Sequence, residues 1–285
     1  MINYNPKEWL PFIFRFTKED TLRKLMPLML SVGLYSGLVA YLEIEFMQLS
    51  KTSYISNIGL MHSVLGFVIS LLLVFRTNTA YDRWWEGRKL WGQLTNNSRN
   101  FAIKLHSFIK QEEDIHFFRL MIPNYAFALK NHLRENENFT ELDAVLDLKR
   151  NHHLPNQIAT KIFKRLSDLQ AQNKLSAEQL WLVNEEFKSL TDICGACERI
   201  KNTPIPFTYS VFIKKFIFLY VLTLPFGWVY SLGYFIIPVI MFILYAFASL
   251  ELIAEEIENP FGTDPDDLPI DQMCHNIRKH VSEVL

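Results

Sequence analysis

Hydrophobic and polar positions in this chain are segregated into long blocks. Three uncharged runs stand out, Leu25–Leu42, Thr52–Phe75 and Phe216–Leu250. At about 1.5 Å of rise per helical residue, roughly 20 residues cross a bilayer. The first run is marginal for one crossing, the second is sufficient, and the third is too long for one. Pro225 and Gly227 offer a break within the third. The pattern therefore predicts four membrane helices, at about 22–46, 53–82, 208–224 and 228–258, with Pro238 kinking the last. Its acidic end, Glu251–Glu258, is expected to project beyond the membrane. Buried helices of a soluble protein are the competing reading, and so many uncharged runs of spanning length argue against it.

The second run does not end at a turn. GLMHSVLGFVISLLLVF, from Gly59, passes directly into RTNTAYDRWWEGR with no proline between. This predicts one helix that leaves the membrane and continues into the cytosol. Beyond it the pattern stays helical. Phe117, Phe118, Met121, Ile122, Tyr125 and Leu129 recur at spacings of three and four, and Ile158, Ile162, Leu166 and Leu169 make a second amphipathic face. Ser176 followed by Gln179 predicts a capping box opening a helix that runs to about Ile200. Pro204 and Pro206 flank Ile205 and break the chain there. After ENPFGTDPDDLPID, a short helical tail is expected over Gln272–Leu285. No strand alternation is visible. The fold class is all-α, polytopic and membrane-embedded. One domain spans 1–285, with a helical cytosolic region at about 83–205 and a C-terminal tail at 259–285 extending the membrane bundle.

Charge refines the topology. Lys7, Arg15, Lys18, Arg23 and Lys24 precede the first membrane helix, the first short loop holds only Lys51, and the stretch from Arg76 to Lys201 is rich in both basic types. The positive-inside rule puts both termini and the middle region in the cytosol. Trp9, Phe12, Phe14 and Phe16 suit an interfacial segment or a packed arm. Thr17 with Asp20 can start the first helix, and Ser53 or Ser56 can cap the second. No cleavable signal peptide is visible. The near-neutral balance, 29 basic against 30 acidic residues, gives no sign of nucleic-acid binding.

Candidate chemistry is sparse. Cys194, Cys197 and Cys274 are too few for a disulfide scaffold and fit a reducing compartment. The Cys194–Cys197 pair lies in a helical run with no second pair, so it reads as packing. His152–His153 could bind a metal adventitiously but reads as a loop pair, and His62 reads as a hydrogen-bonded polar residue near the outer interface. Asp264, Asp266 and Asp267 follow a helix end and suit either a calcium ion or a solvated turn. No nucleotide-binding, zinc-protease or nucleophile-elbow motif occurs, which lowers the prospect of an enzyme.

The strongest signal is the block from Arg76 to Arg88. On a helix Arg76 and Arg83 share a face, and Asn78, Asp82 and Glu86 are spaced as neighbours. Mixed signs of charge suit ion-paired contacts between helices, and Trp84 and Trp85 suit an interface. FRTNTAYDRWWEGRKLWGQLTNNSRN, TPIPF and ENPFGTDPDDLPID occur in that order and together resemble the bestrophin family in its bacterial form. The resemblance covers nearly the whole chain.

What the resemblance implies is a homopentameric ion channel of the inner membrane, with a central pore, an apolar neck on the second membrane helix and a second constriction at the cytosolic end. Ile205 matches the cytosolic aperture residue. The SVLGF match implicates Phe67 in the neck, whereas alignment on Arg76 gives Leu60, Val64 and Val68, a stripe that Leu71 continues. The family signature at the helix exit falls on Arg76, Asn78, Tyr81, Asp82, Arg83, Trp84, Glu86 and Arg88. Animal members carry a calcium clasp whose positions match Asn259, Asp264 and Asp267, but Thr263 stands where an acid is expected and Pro265 interrupts the run. No calcium requirement, no other metal and no cofactor are expected. The implied partners are further copies of the chain, membrane lipid and the permeant ion. Chloride or another anion is the family's ion. A monovalent cation such as sodium, a non-conducting membrane scaffold or sensor, and a membrane enzyme built on the cysteines or the acidic cluster are the alternatives.

Overall fold

The computed structural model describes residues 21–47, 58–135, 141–142, 148–149 and 152–285. The N-terminal aromatic segment, the Thr17–Asp20 start, Lys51 and the Ser53 or Ser56 cap lie outside them. The described residues form helices and contain no strand. In chain order these are α1 (Thr21–Tyr41, closing in a π-helical turn, Leu42–Phe46), α2 (Ile58–Phe108), α3 (Glu112–Leu133), α4 (Leu154–Ala171), α5 (Ala177–Asn202), α6 (Phe207–Leu232), α7 (Ile236–Glu258) and α8 (Ile270–Val284). Two compact units emerge. One holds the described residues up to Asp82 with Pro204–Glu258, and the other holds Arg83–Thr203 with Asn259–Leu285.

Thr21–Phe46 and Phe207–Glu258 of the first unit, and Ile58–Phe108, which begins there and continues past Asp82, are long and apolar enough to cross a membrane. Most of their apolar windows face outward, with only 17% of that on α2 buried. The inner faces pack tightly. A Cβ added at Gly33 would meet Met241 Sδ at 2.9 Å, and one at Gly37 would meet Ile237 Cδ1 at 3.3 Å, so α1 lies close against α7.

The third apolar segment breaks later than the sequence suggests. α6 runs through Pro225 and Gly227 to Leu232. Pro225 lacks the amide donor of its turn, and nearby Tyr35 Oη donates to the Leu222 carbonyl at 3.0 Å and Thr223 Oγ1 to that of Leu219 at 2.9 Å. The break falls at Gly233, whose φ of 54° is in the region that favours glycine. A 3₁₀ turn, Gly233–Phe235, leads into α7. Pro238 then sits in the first turn of α7, where its missing N–H has no helical acceptor to lose. The helices predicted at 208–224 and 228–258 are therefore Phe207–Leu232 and Ile236–Glu258, and the expected kink has no cause.

The second unit is a helical bundle built on the predicted faces. Phe118, Met121, Ile122, Tyr125 and Leu129 of α3 are buried together with Ile158, Ile162, Leu166 and Leu169 of α4, and Phe117 packs partly against them. The Ser176 cap forms as a reciprocal pair. The Gln179 N–H donates to Ser176 Oγ at 3.2 Å, and the Ser176 N–H donates to Gln179 Oε1 at 2.9 Å. Cys194, Cys197 and Cys274 are free and buried. Burial pushes the Cys194 and Cys274 thiols up to about 12, leaving them neutral packing residues. Cys274, Ile277 and Val281 give α8 its buried face.

Candidate functional site

α2 is one unbroken helix of 51 residues, and the division between the two units falls within it, after Asp82. In the membrane-type unit its side chains sort by face. Ile69, Leu73, Arg76 and Ala80 recur at helical spacing and are all buried. Leu60, Val64, Phe67, Val68 and Leu71 are all exposed, Leu60 at 76% and Phe67 at 70%. Both candidate neck registers thus lie on the face that makes no core. Ser63 and Ser70, also exposed, turn their hydroxyls to the carbonyls of Gly59 and Gly66, so the stripe presents little free polarity. His62 points the other way and is buried, with Nδ1 2.9 Å from the Ile58 carbonyl and Nε2 3.0 Å from Thr223 Oγ1.

Arg76 is buried, with 1% of its side chain exposed. A guanidinium in such a place needs anionic partners. α7 supplies two. Nη2 donates to Glu258 Oε2 at 2.7 Å, and Nε lies 3.5 Å from Glu251 Oε2. Glu258 spends its other oxygen on the backbone, where Oε1 accepts the N–H of Ile205 at 2.7 Å. Ile205 itself is half-buried between the exposed Pro204 and Pro206. One carboxylate therefore joins α2 to the Pro-Ile-Pro segment. A segment expected only to project beyond the membrane thus carries a bridging role that run length alone does not reveal. The available signal was the seven-residue spacing of Glu251 and Glu258, which stacks them on one helix face.

The rest of the Arg76–Arg88 block divides by role. Arg83 donates through Nη1 to the Thr203 carbonyl and through Nη2 to the Ile200 carbonyl, each at 2.6 Å. A cation on these last carbonyls caps the C-terminus of α5. Trp84 Nε1 donates to the Asp266 carbonyl at 3.0 Å, and Glu86 Oε1 accepts from Arg199 Nη2 at 2.5 Å. Asn78, Tyr81, Asp82 and Arg88 are exposed. Lys214, in the first half of α6, pairs with Glu255 at 2.8 Å.

The segment after α7 is held by its own turn and by a guanidinium. Asp267 Oδ2 accepts the N–H of Asp264 at 2.7 Å. A Cβ at Gly262 would lie 2.6 Å from that same oxygen, so a side chain there would displace the Asp267 carboxylate. Burial pushes the Asp267 carboxyl up to about 6, against the opposing pull of the Asp264 amide. Asn259 and Asp264 are exposed. Arg134 Nε donates to the carbonyls of Phe261 and Gly262, at 3.1 Å each, and Nη1 donates to Asp271 Oδ2 at 2.7 Å. A fixed cation thus already satisfies carbonyl oxygens beside the clasp positions.

The chain is similar to known proteins over most of its length. A model of the bacterial and fungal bestrophin proteins matches residues 1–283. A voltage-dependent anion channel-forming protein of Nostoc is 37% identical over 231 residues, 77% of this chain and 75% of its own. One from Escherichia coli K12 is 33% identical over 221 residues, covering 75% and 73% of the two chains. Among solved structures, a point mutant of a bacterial bestrophin homologue from Klebsiella pneumoniae superposes with a TM-score of 0.83 at 28% identity, covering 91% of this chain and 97% of that one.

Proposed function

The chain belongs to the bacterial and fungal bestrophin family, and from that premise we propose that it is an ion channel of the bacterial inner membrane, assembled as a homopentamer around a central pore. The first part of α2 lines the pore, and α1, α6 and α7 complete four crossings per chain. Both termini and the Arg83–Thr203 region lie in the cytosol. The observation that carries this reading is the exposed stripe Leu60, Val64, Phe67, Val68 and Leu71, set opposite a fully packed face of the same helix.

Repeated around a five-fold axis, that stripe makes stacked apolar rings. A narrow apolar tube holds water poorly and gates by dewetting. Ile205 forms the second constriction, positioned through its N–H by Glu258. Conduction needs no cofactor, nucleic acid or catalytic residue, and lipid and the permeant ion are the other partners. Arg134 on the Phe261 and Gly262 carbonyls supports a channel that opens without calcium at Asn259, Asp264 and Asp267.

The permeant ion is an anion, as the names of the relatives suggest, with chloride as the anion proposed. The test is the reversal potential of purified protein in planar bilayers under asymmetric salt. Reversal near the chloride equilibrium potential is expected. Reversal near the cation's would replace the anion by a monovalent cation on the same fold. Absence of current from a protein shown by native mass to be pentameric would sink the channel reading in favour of a scaffold.

A further inference from the structure

Away from α2, three helices bring three ligating side chains to one point. His132 lies on the last turn of α3, His153 is the N-cap of α4, and Glu198 lies near the end of α5. Glu198 Oε1 is 2.7 Å from His132 Nε2 and 2.5 Å from His153 Nε2. The two imidazole centroids are 4.2 Å apart. Among the described residues, this is the one group of three or more histidine, cysteine or acidic side chains whose ligand atoms converge, all within 4.8 Å of one another. The side chains are 31%, 29% and 28% exposed, so the group is anchored in the protein but open on one side.

We propose that His132, His153 and Glu198 form a binding site for a divalent transition-metal ion of the zinc type, held by three protein ligands with a fourth position open to solvent. Two imidazole nitrogens and one carboxylate oxygen are a donor set for zinc or its neighbours in hardness, not for calcium or magnesium, which take oxygen ligands. Metal–nitrogen and metal–oxygen bonds of about 2.0–2.2 Å in a tetrahedral shell place ligand atoms about 3.3 Å apart. The three atoms are within a small rotamer adjustment of that spacing. Without an ion, two imidazoles compete for a single carboxylate oxygen. An ion in their midst replaces both hydrogen bonds.

The site carries a built-in coupling. The Asn156 N–H donates to His153 Nδ1 at 3.2 Å, which caps α4 and leaves the ring proton on Nε2. Ligation through Nε2 moves that proton to Nδ1 and gives up the cap. Metal uptake is therefore linked to the start of α4 as well as to the juncture of α3 and α5. Cys194 and Cys197 lie on the same helix but are buried, and their sulfurs are not among the converging ligand atoms.

Two variants test the site without removing structural supports. His153→Asn keeps an N-cap side chain while deleting the imidazole, and Glu198→Gln keeps size and shape. Tag-free full-length protein, stripped with EDTA, is titrated with Zn²⁺ by calorimetry and with Co²⁺ by visible absorption. One Zn²⁺ per chain and tetrahedral Co²⁺ bands are expected. Each variant should weaken Zn²⁺ binding by roughly tenfold or more and abolish the Co²⁺ bands, and Cys194→Ser should change neither. No binding to the wild type would overturn the proposal, as would undiminished affinity in the His153→Asn/Glu198→Gln double variant with an unchanged elution profile. Neither result depends on whether the protein conducts.

Discussion

Glu258 Oε1 accepts the backbone N–H of Ile205 at 2.7 Å, while the other oxygen of that carboxylate meets Arg76 at 2.7 Å. The side chain proposed as the cytosolic constriction is thus oriented by a residue that also neutralises a buried cation on the proposed pore helix. Removing one partner of a buried pair leaves an uncompensated charge, which costs about 3 kcal/mol. Glu258→Ala should lower unfolding stability by about that amount, because Glu251 alone, 3.5 Å from Arg76, cannot replace it. Ile205→Ala, which keeps the N–H, should leave stability near wild type while changing single-channel current. An unfolding midpoint for Glu258→Ala equal to that of the wild type would show that the bridge does not form.

The two faces of α2 make opposite predictions. Leu73 is buried at 1% exposure, and trimming it to Ala should cost about 2–5 kcal/mol. Val64, Phe67 and Val68 are exposed in the single chain, and their role is proposed to lie in the pore. Val64→Ala, Val68→Ala and Phe67→Ala should each leave the unfolding midpoint almost unmoved and raise single-channel conductance. Which of the three has the largest effect fixes the register of the neck. Unchanged conductance in all three removes the neck from this stripe.

Much of this architecture is legible in residue order, for identifiable reasons. Apolar run length reports spanning helices, and the period of Phe118, Met121, Ile122, Tyr125 and Leu129 reports a buried face, because both are local properties of a helix. The Ser176–Gln179 box is read from two positions because both of its hydrogen bonds close within one turn. The break at Gly233 is harder to see. Proline is the stronger breaker in isolation, yet α6 runs through Pro225 and ends at Gly233, where the backbone takes a positive φ. The grouping of His132, His153 and Glu198 is likewise hard to see. His153 looks like half of a loop pair with His152, and only the packing of three helices supplies its true neighbours.

Asp267 should impose a recognisable pH dependence. Its carboxyl, raised by burial to about 6, takes up a proton more readily folded than unfolded, where it titrates near 4. Between those values the native state binds the extra proton, so stability falls as pH rises from about 4 to 6 and then levels off. Asp267→Asn removes the titration while retaining an acceptor for the Asp264 amide. The variant should match the wild type near pH 4 and exceed it by about 1–2 kcal/mol at pH 7.5. A stability difference that stays constant across that range, measured by paired denaturation curves, would show that Asp267 is not the group responsible.

The same segment decides the response to calcium. Arg134 places a guanidinium on the carbonyls of Phe261 and Gly262 and pairs with Asp271 at 2.7 Å. A divalent ion entering beside them would meet a fixed positive charge and two acceptors already engaged. Pro265, which has no amide N–H, interrupts the acidic turn as well. Currents should therefore be unchanged between EGTA and 1 mM calcium, a range of concentration that spans sensor-type sites. Arg134→Ala should lose stability, because the two carbonyls and Asp271 lose their common donor. Micromolar calcium binding by calorimetry in the wild type, abolished by Asp264→Ala, would mean that the guanidinium yields to the ion and that the segment is a calcium clasp after all.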